Sequence, residues 1–201
     1  MQVIEIEELD SKRMRVMLEG GCEFALYKGE CRKYGLREGK ELTEGQFQEI
    51  RGEILIKRAR LRAMHLLERM DRTEEQLRMK LKQGHYPQDV IEDALDYVKG
   101  YHYVDDFRYA QNYVRRYKDK KSRRMMQLEL QNKGVSKDLA AQALEEECSR
   151  ENEHEQILQW VRKKNYPSQE ADLKEKQKMY RFLMRKGFCP NEILHVLDHL
   201  T

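Results

Sequence analysis

LKQGHYPQDVIEDAL at 81–95, LQNKGVSKDLAAQAL at 130–144 and LMRKGFCPNEILHVL at 183–197 align without a gap. Their starts lie 49 and 53 residues apart, from Leu81 to Leu130 and on to Leu183. Four residues before each start stands an apolar residue, Leu77, Met126 or Met179. Each stretch then has a glycine at its fourth or fifth position, an apolar residue at its sixth (Tyr86, Val135, Phe188) and a closing leucine (Leu95, Leu144, Leu197). Self-similarity at a period of this length is the mark of tandem structural repeats. The physics of one unit is legible. A helix ends at the glycine, which reaches the left-handed conformation that a C-cap needs. The apolar residue after it packs back onto that helix. Pro87, Ser136 or Pro190 then opens the first turn of the next helix. A further helix is expected ahead of each pair, over about 57–70, 106–118 and 153–164, where apolar residues recur with helical spacing.

Three helices per unit, three times over, predict a mainly α protein built as an elongated, curved array. A unit of ~48 residues is marginal alone, so stacked neighbours bury each other's faces and leave a concave side suited to a filament or other polymer. The N-terminus reads differently. Val3, Ile4 and Ile6 sit among acids. Met14, Val16 and Leu18 alternate with Arg13, Arg15 and Met17, and Phe24 and Leu26 with Glu23, Ala25 and Tyr27. Such alternation predicts three short antiparallel strands, followed by a loop at 35–39. Thr43 and Gln46 have capping-box spacing at the head of a helix. The expected organisation is a small β-rich segment over 1–42, a connecting helix over 43–56, and repeats over 57–105, 106–152 and 153–201.

The bulk composition fits several small cores: 37% of residues are charged and 39% hydrophobic, with the apolar residues evenly spread. Cys22, Cys31, Cys148 and Cys189 make no CxxC pair, and four reduced thiols are expected. The N-terminus MQVIEIEELD is acidic and lacks an apolar core, so no secretory leader is read there. No apolar run approaches the ~20 residues of a membrane span. A monomer in the cytoplasm is expected.

Net charge is only +3, so the local pattern matters more. Arg108, Arg115, Arg116, Lys118, Lys120, Lys121, Arg123 and Arg124 face a single acid, Asp119, within 108–124. Eight like charges so close repel one another, and an anionic partner would relieve them. Tyr109, Tyr113 and Tyr117 share one helix face. They read as core, with base stacking on exposed rings as the alternative. A second run holds Lys174, Lys176, Lys178, Arg181, Arg185 and Lys186, and a third Lys57, Arg58, Arg60 and Arg62. The acids of 138–155, among them Glu145, Glu146, Glu147, Glu151, Glu153 and Glu155, are expected on one helix turned away from DNA, with contact to basic protein loops as the alternative.

Catalytic constellations are not evident. Asp105 and Asp106 suit a helix start, one as cap and one at the positive helix end. His195 and His199 are one turn apart without a clear third metal ligand. His102 reads as a turn residue and Trp160 as core of the third repeat. No phosphate loop, dinucleotide fingerprint or nucleophile elbow appears. Neither cofactor nor metal is expected.

Particular stretches resemble a known family. TEEQLRMKL at 73–81 with Gly84 and Tyr86 is similar to the first repeat of RecX proteins. YVDDFRYA at 103–110 with Tyr113 and Val114 resembles their central motif, continued by KSRR at 121–124, Leu128-Glu-Leu130 and Lys133-Gly-Val135. The resemblance covers about 58–200. It implies a three-repeat helical protein without catalytic residues that binds RecA filaments on single-stranded DNA and tunes their growth, ATP hydrolysis and strand exchange, within DNA repair and the SOS response. Two features depart from the pattern: the strands of 1–42, which occur in only part of the family, and a polar insert at 165–172. The residues expected to meet filament or DNA are the eight basic residues of 108–124 together with Lys174, Lys178, Arg181 and Arg185. A stand-alone DNA-binding repeat module is the alternative, and an enzyme is disfavoured.

Overall fold

The N-terminal alternation resolves into an antiparallel meander of β1 (Val3–Glu8), β2 (Arg13–Leu18) and β3 (Glu23–Tyr27), in that order. Val16 lies opposite Ile6 on one side and Phe24 on the other. This register puts Val16, Leu18, Phe24 and Leu26 into the core, while Arg15 on the opposite face bridges Glu7 and Glu23. Gly20 and Gly21, both with positive φ, close the second hairpin. The structure, a computed structural model, describes residues 1–148, 151–167 and 172–200.

Two features of this segment depart from the alternation. Ala25, on the face expected to be wet, is buried. Its N–H donates to the carbonyl of His85 at 3.1 Å, so the free edge of β3 is covered by the turn of the first repeat. Directly after β3 comes a short helix, α1 (Lys28–Lys33), that buries Cys31. Six residues are too few for helical periodicity to show. The 35–41 loop then runs along β1, with Val3 N–H donating to Lys40 and Gly39 N–H to Val3.

Thr43 and Gln46 form the expected capping box, with side chain and backbone bonded reciprocally at 3.2 Å. The helix they start, α2 (Glu44–Glu49), does not stop before the first repeat. A π-helical stretch at Ile50–Ile56 carries it straight into α3 (Lys57–Arg69). Gly52 lies inside that wider coil and is tolerated there. α4 (Glu74–Lys82) and α5 (Gln88–Gly100) complete the first repeat. One core runs from Val3 and Phe24 through Ile50, Leu55 and Ala63 to Leu81, Leu95 and Val104. Sheet, connecting helix and first repeat therefore form one compact unit, Met1–Asp105.

The second unit, Asp106–Thr201, holds the other two repeats: α6 (Asp106–Tyr117), α7 (Arg123–Asn132) and α8 (Lys137–Glu147), then α9 (Glu151–Lys163), α10 (Leu173–Arg185) and α11 (Pro190–Asp198). The repeat positions fill two cores. Met126, Leu130, Val135 and Leu144 pack with Ala110 and Val114. Met179, Leu183, Phe188 and Leu197 pack with Ile157 and Val161. Ser122, Ser136 and Asp172 cap α7, α8 and α10 through their side chains. Of the polar insert at 165–172, residues 168–171 lie outside the described residues. Trp160 is half-buried against the third core and meets Phe182 edge-on at 5.5 Å. His102 is a turn residue, with φ +56°, after α5.

The shared turn needs one correction. Gly134 and Gly187 take the left-handed conformation, with φ of +92° and +86°. In the first repeat that position falls to His85, φ +57°, one residue after Gly84. Gly84 serves a different need: a Cβ there would lie 2.9 Å from the Tyr86 ring. The acidic stretch 138–155 is also not a single helix. α8 ends at Glu147, Cys148 is extended, and α9 begins at Glu151.

Candidate functional site

α6 turns Ala110 and Val114 fully inward. Tyr109, Tyr113 and Tyr117 flank them, half-buried against the same core, with the Tyr113 and Tyr117 rings 4.6 Å apart. This placement supports the core reading of the tyrosines over a stacking platform. Arg108, Arg115 and Arg116 are left on the exposed side.

Acids at the end of α8 meet the basic run itself, in line with the alternative that this stretch contacts basic protein segments. The Arg115 guanidinium meets Glu147 at 2.6 Å, Gln111 donates to Glu146 at 2.8 Å, and Lys118 reaches the Glu147 carbonyl at 3.5 Å. Three glutamates end α8, where the helix dipole disfavours negative charge. Cations from α6 and from the turn after it compensate for that placement. The Arg115 hydrogen bond holds the Glu147 carboxyl below the usual range.

Lys121 is likewise committed. Its ammonium contacts Glu129 at 2.6 Å and the Tyr113 hydroxyl at 3.0 Å, and lies 4.2 Å from the centre of the Tyr117 ring. Tyr113 donates in turn to Glu129. Burial, reinforced by that carboxylate, pushes the Tyr113 phenol up to about 12. Burial works against the Lys121 charge, but its bonds to Glu129 and Tyr113 outweigh it and hold the ammonium above its ordinary value.

Arg123 is a joint rather than a free cation. Its guanidinium donates to the Cys148 carbonyl at 2.7 Å and to Glu145 at 3.0 Å, and its backbone N–H to Glu153 at 3.1 Å. The turn before it is clamped by the third repeat. Gln156 donates to the Lys118 carbonyl, and fully buried Ser122 donates to the Lys186 carbonyl at 3.2 Å. The expected eight-residue anion site thus divides. Lys118, Lys121 and Arg123 hold the unit together and Arg115 answers Glu147, while Arg108, Arg116, Lys120 and Arg124 remain exposed.

On α10 the division is cleaner. Lys174, Lys178, Arg181 and Arg185 follow an i, i+4, i+7, i+11 spacing, which makes one stripe, and all four are exposed. Their basic neighbours are otherwise engaged: Lys176 pairs with Asp198, and Lys186 lies over the Trp160 ring at 4.7 Å. The cluster on α3 is largely paired within its own unit. Lys57 meets Glu53, Arg58 meets Glu30, and Arg60 makes a two-point contact with Asp93 at 2.7 and 3.0 Å. His199 turns a ring nitrogen to the His195 carbonyl at 2.8 Å. Among the described residues no three His, Cys, Asp or Glu side chains converge as a metal site. No helix among them is long and apolar enough to cross a membrane.

Three family models match in tandem: the first three-helix domain of RecX over 59–97, the second over 105–144 and the third over 151–197. The chain belongs to the RecX family. Regulatory protein RecX of Caldanaerobacter subterraneus subsp. tengcongensis is 33% identical over 184 residues, covering 91% of each chain. The protein of that name from Clostridium botulinum (strain Alaska E43 / Type E3) is 30% identical over 191 residues, 92% of this chain and 88% of its own. A crystal structure of regulatory protein RecX superposes with a TM-score of 0.67 at 25% identity, covering 98% of this chain and 99% of that one. For this RecX-family chain the expected fold class therefore holds: mainly helical, three three-helix domains in tandem, preceded by a small antiparallel sheet. Its role is regulatory, as the names of its relatives state.

Proposed function

We propose that this chain is a non-enzymatic cytoplasmic regulator that binds the RecA filament on single-stranded DNA and restrains recombinase activity. It acts as a monomer without cofactor, within DNA repair and the SOS response. The observation that carries this reading is the unbroken tandem of three RecX three-helix domains. The exposed cations support it. Lys174, Lys178, Arg181 and Arg185 form a stripe, and Arg108, Arg116, Lys120 and Arg124 extend the supply of positive charge along the same unit. A filament displays phosphates and acidic protein surface, and charge of this kind steers association and selects register. Preferential binding to one filament state then shifts assembly by mass action.

The test is RecA's DNA-dependent ATP hydrolysis with equimolar chain, paired with electron microscopy of filaments on single-stranded DNA. Reduced hydrolysis and decorated or shortened filaments are expected; unchanged hydrolysis discards the reading. A stand-alone DNA-binding module is the second reading, favoured by the same exposed stripe. It requires tight, steeply salt-dependent binding to naked DNA and no effect on filaments, whereas a filament regulator keeps its hold on filaments with a flat or shallow salt response to naked DNA.

A further inference from the structure

The first unit contains a cleft of about 660 Å³ between the sheet, α3 and α4. Its cations come from three distant parts of the chain: Lys12 and Arg13 from the β1–β2 hairpin, Arg58 and Arg62 from α3, and Lys80 from α4. Asp10 is the one carboxylate on its wall. It is spent on Arg13, at 2.8 Å, while Arg58 is paired with Glu30. Lys12, Arg62 and Lys80 are exposed, and none of them is ion-paired among the described residues; Lys80 donates to Gln83 at 3.0 Å. Arg13, Arg58 and Arg62 line the same cleft as the half-buried Tyr86.

Flat apolar surface accompanies the charge. Tyr27 is 45% exposed and Leu61 57% exposed at the cleft. The Arg58 guanidinium lies 4.5 Å from the centre of the Tyr27 ring, which fixes the ring in place. Cations that follow a backbone beside exposed ring and apolar faces are the combination that holds single-stranded nucleic acid. An acidic peptide would use the cations and leave the exposed ring and leucine idle. The volume falls within the ~300–1,000 Å³ of small-ligand sites, enough for a short segment of strand rather than a duplex.

We infer that the cleft between the N-terminal sheet and the first repeat seats a segment of single-stranded nucleic acid, its phosphates on Arg62, Lys80 and Lys12 and a base against Tyr27. This site lies in the other unit from the α10 stripe, and the inference does not depend on the filament reading, because it concerns a naked strand.

The experiment is fluorescence anisotropy of a short labelled oligothymidylate titrated with the full chain over a range of salt. R62E/K80E is compared with R37E/K137E, and circular dichroism checks that both remain helical. R62E/K80E is expected to weaken binding and to lower the salt slope by about 1.4, at ~0.7 for each lost single-strand phosphate contact. R37E/K137E, which carries the same change of charge at exposed positions outside the cleft and outside the α10 stripe, is expected to keep the wild-type slope, and Tyr27→Leu weakens binding without changing the slope. Wild-type chain that fails to bind the oligonucleotide overturns the inference. So does equal loss in the two double variants, which would assign the effect to overall charge. Polyglutamate that displaces nothing is expected; a cleft that binds polyglutamate and not the strand overturns the assignment of ligand. RecA ATP hydrolysis, measured separately on R62E/K80E, reports on the filament reading alone.

Discussion

Gly187 sits directly against Ser122, so that a Cβ on the glycine would lie 2.6 Å from the Ser122 hydroxyl and 3.2 Å from Met125 Cβ. Two constraints meet at that contact. Gly187 is the left-handed residue that follows the C-cap of α10, with φ +86°, and it is also where the third repeat touches the buried N-cap of α7. Gly187→Ala is expected to destabilise the second unit by ~2–5 kcal/mol, combining a left-handed penalty of ~1–2 with ~1–3 for overpacking. Gly20→Ala is the control. Its φ is +89° with nothing within 4 Å, so only the backbone penalty applies. Equal losses of melting temperature for the two variants would show that the Ser122 contact yields freely.

His85 occupies the left-handed position that glycine fills in the other two repeats. Its ring contacts Glu23 at 2.6 Å, and its carbonyl accepts from Ala25, tying the repeat to β3. Replacement by Gly and by Val removes the imidazole equally but treats the backbone differently. His85→Val is expected to be less stable than His85→Gly by at least ~1 kcal/mol. Chemical denaturation of the two variants decides this, and matching midpoints would remove the strain argument.

Tyr113 titrates at about 12 in the folded chain, against 10.0 for the free phenol. The folded state favours the protonated phenol, so its contribution is whole below pH 10 and disappears as pH rises towards 12. Glu129 shifts the other way: burial raises it, but Lys121 and Tyr113 lower it further, so its contribution is lost as pH falls through its folded value. Spectrophotometric phenolate titration of wild type minus Tyr113→Phe should isolate one late-titrating tyrosine. A difference curve centred near 10 would mean the Lys121–Tyr113–Glu129 cluster is open in solution.

Charge reversal separates surface from scaffold. R116E/K120E/R124E alters exposed side chains and is expected to weaken filament association with helicity intact. Lys121→Glu places a carboxylate beside Glu129 and strands the Tyr113 hydroxyl, so a destabilisation of ~1–3 kcal/mol is expected even without any partner. Filament binding is read by co-sedimentation and stability by thermal melting. Should the triple variant sediment with filaments as wild type does, those three residues leave the interface.

The repeat, its helix ends and its core leucines were legible in the chain because each depends on neighbours a turn or two away. Spacing of apolar residues dictates which helix face is buried, Thr43 and Ser136 announce helix starts, and Leu130 and Leu183 sit fully buried where the repeat placed them. Short α1 was not legible, since six residues cannot display a period.

The fate of the charges was decided by tertiary structure alone. In sequence, Arg115, Lys121 and Arg123 are members of one basic run; in space they meet Glu147, Glu129 and Glu145, which lie from 8 to 32 residues away. Arg13, Arg62 and Lys80 have no sequence relationship, yet they line one cleft. Local spacing determines which side of a helix a residue occupies. Which charge faces that side depends on how distant helices pack, because the attraction between two ions is set by their separation in space and by the water excluded between them.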